Sequence, residues 1–172
     1  MTLVFPLLLL SMQTPGGTIG DRAQKIAGEI GELRSMVEAI RIDRWNGPDA
    51  GRYENRKQSA LASVTEVREA AAALAADPGK LQPAVGLLSR LDSLLMDLSA
   101  LAFGLARYQS GEMGEVASAA VERFRAHREG LRLDIEQLAQ TRETEMAVAL
   151  KEAQRCREQL ARPSQPRPLE RK

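Results

Sequence analysis

Residues 18–40 read TIGDRAQKIAGEIGELRSMVEAI, and their spacing decides the fold. Ile19, Ala23, Ile26, Ile30, Leu33, Val37 and Ile40 recur at alternating intervals of four and three. That interval places one apolar stripe along a helix and matches the seam of a coiled coil. Thr18 supplies a hydroxyl at the N-cap position, and Asp21 stands where the helix dipole favours an anion. Lys25 with Glu29, and Arg34 with Glu38, are four residues apart and are expected to pair on the outer face. The helix is expected to run to near Trp45, because Asn46, Gly47 and Pro48 follow.

The same pattern continues along the chain. A second helix begins near Asp49, with Tyr53, Lys57, Ala60, Val64, Val67, Ala71 and Leu74 on its stripe. Its later half is almost all alanine, which lets a neighbouring helix approach closely. Asp77, Pro78 and Gly79 mark a turn. The third helix, over about residues 81–110, carries Leu81, Ala84, Leu88, Leu91, Leu95, Leu98, Ala102 and Leu105 on one stripe. Leu87, Leu94, Leu101 and Tyr108 form a second stripe beside it. So wide an apolar face belongs to the most buried helix, with Leu95 expected at its fully buried centre.

The fourth helix is expected over about residues 112–162, with Ala117, Ala120, Phe124, Leu131, Ile135, Leu138, Ala149, Ala153 and Leu160 on its seam. Arg142 and Glu145 interrupt that seam. Either the helix breaks there or its second half projects beyond the bundle. The segment from Thr141 onward carries a narrow stripe of Met146, Ala149, Ala153 and Leu160, the width that suits coiled-coil pairing. These four residues are the candidate interaction site. The fold expected is all-α: an antiparallel bundle of about four helices over residues 18–162, with a long last helix.

The two ends differ from this body. Residues 3–12 are apolar apart from Ser11, and no charge precedes Asp21. A run this short cannot span a bilayer, which needs about 20 residues. It has the length of a signal-peptide core, so residues 1–17 are expected to direct export to the periplasm or outside the cell. The competing reading is an apolar strap on a cytoplasmic bundle. Residues 163–172 contain three prolines and several charges, the composition of a disordered basic tail. Pro163 and Pro166 form a P-x-x-P that such a tail produces without meaning.

Composition narrows the function. The 172-residue chain carries a net charge of +1, and the tail holds the excess of cations, so the body is mildly acidic. No clustered cations are offered to nucleic acid. One cysteine, Cys156, and one histidine, His127, supply neither a disulfide nor a zinc set. Bundle metal sites pair Glu-x-x-His motifs, but Phe124 stands three residues before His127. Cys156 reads as a small residue at a seam or surface position. Dispersed glycines offer no phosphate loop, and no nucleophile elbow occurs. No catalytic, cofactor-binding or metal-binding residue is therefore assigned, and no cofactor is expected.

Trp45-Asn46-Gly47 resembles the Trp-x-Gly turn of small type VII-secreted helical-hairpin proteins. Tyr108 and Glu112 stand at the Tyr-x-x-x-Asp/Glu spacing of their secretion signal. The resemblance covers the first two or three helices and implies a secreted helical substrate. The preferred reading is that Trp45 closes the bundle end with a rigid apolar ring. The function expected is that of a non-catalytic cell-envelope protein acting through contacts with a protein partner or with itself. A ligand-sensing bundle and a type VII-like substrate are the rivals.

Overall fold

The computed structural model describes residues 17–161. The apolar start and the Pro-rich tail, with the export and disorder expected of them, lie outside the described residues. Within them the chain is four helices: α1 (Ile19–Glu38), α2 (Ala50–Ala76), α3 (Leu81–Tyr108) and α4 (Gly111–Ala161). None is long and apolar enough to cross a membrane.

The helix starts and stops follow local chemistry. Thr18 and Asp21 form a full capping box: the Asp21 amide donates to Thr18 Oγ1 at 3.2 Å, and the Thr18 amide donates to Asp21 Oδ2 at 2.8 Å. α1 ends at Glu38, seven residues before the expected Trp45. Lys57 of α2 caps this end. Its ammonium donates to the carbonyls of Glu38 (3.2 Å) and Ile40 (2.7 Å), satisfying acceptors that a continuing helix would use itself. A 3-10 turn over Ile42–Arg44 then tucks Ile42 and Trp45 into the core.

Each helix packs against the next, and α4 closes the ring on α1. Contacts run in opposite order along neighbours, as an up-and-down arrangement requires. Arg34 meets Thr65, while Lys57 reaches back to Ile40. Arg22, Glu29 and Glu32 meet Asp134, His127 and Arg123 in turn. The core is built from the expected stripes, with Ile26, Ile30, Leu74, Leu91, Leu94, Leu98 and Phe124 among its fully buried side chains. α3 contributes the most buried positions. Leu95 is buried in the core as expected, at 9% exposure nearer its rim than Leu94 beside it, which is sealed. At one end Trp45 stacks on Tyr108, ring centroids 5.5 Å apart, and meets Tyr53 edge-on at 5.1 Å. Gly104 makes room for this cluster, because a Cβ there would come within 2.7 Å of the indole. Trp45 thus closes the bundle end by packing.

Candidate functional site: the exposed arm of the fourth helix

α4 has 51 residues, so it is about 75 Å long at about 1.5 Å per residue. α1, α2 and α3 have 20, 27 and 28 residues, so none keeps pace with it. Three elements meet at the level where α4 leaves the bundle. The start of α1 lies beside Asp134, Gln137, Leu138 and Thr141, across a shallow groove. Pro78 of the α2–α3 turn packs near Gly20. Arg142 donates through Nη2 to the Gly79 carbonyl at 2.9 Å and through Nη1 to Glu145 Oε2, also at 2.9 Å. The arginine that interrupts the seam therefore ties α4 to the end of the bundle.

Every residue from 140 to 161 is exposed. The helix does not break at Arg142; it continues outward as an arm. At about 100° per residue, Leu131, Ile135, Leu138, Arg142, Met146, Ala149, Ala153, Cys156 and Leu160 fall within an arc of about 80°. The buried seam and the exposed stripe are one line along one helix. Its first members are covered: Leu131 is buried, and Ile135 is packed against the core. Its last members are bare, with Met146 at 63% and Leu160 at 86% exposure. The free thiol of Cys156 is exposed on the same line. Leu150 flanks the stripe, Val148 lies farther round the helix, and both are exposed. Leu150 stands four residues after Met146, a spacing that could have been read as widening the stripe.

Several charged groups elsewhere are held in cross-helix pairs. His127 is buried, with Nε2 3.0 Å from Glu29 Oε2 and its ring edge-on to Phe124. It is a structural histidine. Glu29 therefore faces His127 across the α1–α4 contact rather than pairing with Lys25. The hydrogen bond from His127 holds the Glu29 carboxyl below the ordinary glutamate range, against the opposing pull of burial. Arg34 and Glu38 do pair as expected, at 2.9 Å.

Two pairs escaped the periodicity argument because their residues look like ordinary surface charges. Asp97 lies buried on α3 and accepts from Arg56 of α2 at 2.7 Å. Arg22 donates to Asp134 at 2.6 Å, and Gly130 keeps the space that its guanidinium occupies. Among the described residues no group of three or more His, Cys, Asp and Glu side chains stands together as a metal site. A second exposed apolar pair, Met96 and Phe103, stands seven residues apart on the outer face of α3. Comparison with known families, curated proteins and solved structures returns no match.

Proposed function

We propose that the chain is a non-catalytic helical scaffold of the cell envelope that acts by protein contact along residues 140–161. The observation that carries this reading is the single stripe of α4, sealed by its neighbours as far as Leu131 and bare from Met146 to Leu160. An exposed helix of about 20 residues gains little stability from propensity alone, and most helical stability comes from packing an apolar face. The pairing of His127, Asp97 and Asp134 with partners on other helices supports a scaffold over a catalytic site. The surface groove over Glu66, Glu69, Gln82 and Arg90 is open to solvent, which gives the ligand-sensing rival little support. The envelope assignment rests on the apolar residues 3–12.

Two experiments test it. Met146→Lys combined with Leu160→Lys in the full chain removes the stripe while leaving the bundle intact. Crosslinks formed by the wild-type chain in its native host should disappear, with the thermal melt unchanged. Crosslinks that persist would remove the arm as the contact surface. For the envelope, mass spectrometry of the native protein should find a start near residues 13–17. An intact Met1 or Thr2 start in a cytosolic fraction would overturn export.

A further inference from the structure

The stripe of the arm constrains what can cover it. We propose that its occupant is the arm of a second copy of this chain, lying antiparallel. This rests on the reading of the arm as a contact surface and adds partner, direction and register.

Direction follows from the continuity of the stripe. Below Arg142 the same line faces the chain's own α1 and the packed core. A parallel partner helix laid on the stripe would run on into that space and collide with the bundle. An antiparallel partner carries its own bundle to the far end of the arm. The two arms then overlap along residues 141–161, about 30 Å of helix.

Register follows from the positions on the stripe. Arg142, Met146, Ala149, Ala153, Cys156 and Leu160 alternate by four and three, so they are successive core positions of a coiled coil. A two-fold antiparallel pairing that uses all six sets Ala149 against the partner's Ala153 at the centre. Met146 then meets the partner's Cys156, and Leu160 meets the methylene stem of the partner's Arg142. Paired alanines at the middle permit close approach of the helices. On one flank Leu150 faces the partner's Leu150 at the two-fold axis, which covers a side chain that is 65% exposed in the single chain. On the same flank Glu143 faces the partner's Arg157, twice by symmetry. On the other flank Glu152 faces the partner's Glu152, a like-charge contact that limits affinity. In a parallel pair Glu152 would instead face the partner's Arg157, so charge variants separate the two arrangements.

The test is sedimentation of the full chain over a concentration series, with a dimer fraction that rises with concentration. Arg157→Glu should weaken the dimer about tenfold, the effect of turning two attractive pairs into repulsive ones. Glu143→Arg should weaken it similarly, and the double variant should restore the affinity to within about twofold. Glu152→Gln should tighten it. Oxidation of the Met146→Cys variant should give a covalent dimer through the partner's Cys156. Wild-type chain should not crosslink, because in this register its Cys156 lies about 15 Å along the axis from the partner's. A disulfide tolerates a Cα separation of only about 7 Å. Ready Cys156–Cys156 oxidation, or weakening by Glu152→Gln, would overturn the antiparallel arrangement. A chain that stays monomeric at every concentration would overturn self-pairing. If the stripe variant then still loses a crosslink to another host protein, the broader contact reading survives; if it loses none, both fall.

Discussion

The two halves of α4 share one helix and one periodicity, yet they are built for different neighbours. From Gly111 to about residue 139 the stripe is covered, small at Gly114, Ala117 and Ala120 and bulky at the sealed Phe124 and Leu131. Beyond residue 140 it carries Met, Ala, Cys and Leu, and every residue is exposed. Close packing in the first half is fixed by α3 and α1 together. In the second half a partner has to supply the other wall. Periodicity tells which face of a helix is apolar; the length of the neighbouring helices tells whether that face is already used.

The largest expected contrast between the halves is in core truncation. Phe124→Ala should cost about 3–5 kcal/mol in equilibrium denaturation, the range for emptying a buried aromatic site. Leu160→Ala, measured in dilute solution, should stay within about 0.5 kcal/mol. Equal losses would mean that the arm belongs to the folded core. Backbone approach gives the next contrast. A Cβ on Gly114 would meet the Ala106 backbone, with Cα at 2.8 Å and N at 2.9 Å. Gly114→Ala should therefore cost about 1–3 kcal/mol by overpacking, despite alanine's better helix propensity. A neutral result would show that α3 and α4 can part there at no cost.

The smallest effect is electrostatic and belongs to the bundle half alone. The hydrogen bond from His127 lowers the folded-state pKa of Glu29. A lowered carboxyl pKa contributes stability that is complete above the unfolded glutamate value, about 4.3. That stability is lost as pH falls through the lower folded value. Glu29→Gln should remove this part of the acid sensitivity, an effect of under about 1 kcal/mol. An unchanged acid limb of the stability–pH curve would contradict the pairing.

Much of the bundle was legible in the sequence, and the misses have physical causes. The seven stripe residues from Ile19 to Ile40 announced α1, and six of them are buried, Ile40 just past the helix end included. The capping box at Thr18 was readable because it is local. The early end of α1 was not, because the ammonium of Lys57 that caps it stands 17 residues past Ile40. Glu29 was assigned to Lys25 by sequence distance, whereas the fold offered it His127 from another helix. Asp97 gave no signal in the sequence, because its partner Arg56 stands 41 residues earlier on another helix. Leu95 and Leu94 differ by one residue in sequence, which is about 100° around the helix and enough to set the rim of the core apart from its centre. Of the candidate site, Met146, Ala149, Ala153 and Leu160 were visible as a narrow stripe. Their projection past the bundle was one of the two readings that Arg142 and Glu145 left open, and where α1 and the α2–α3 turn stop decides it.

Amide hydrogen exchange along α4 of the full chain tests the account most directly. At low protein concentration, amides around Ala120 to Leu131 should exchange slowly, and those around Met146 to Leu160 should exchange orders of magnitude faster. On raising the concentration, the second group should slow while the first stays unchanged. Protection in the arm equal to that of the bundle at the lowest concentration would contradict the central claim that this stripe awaits a partner.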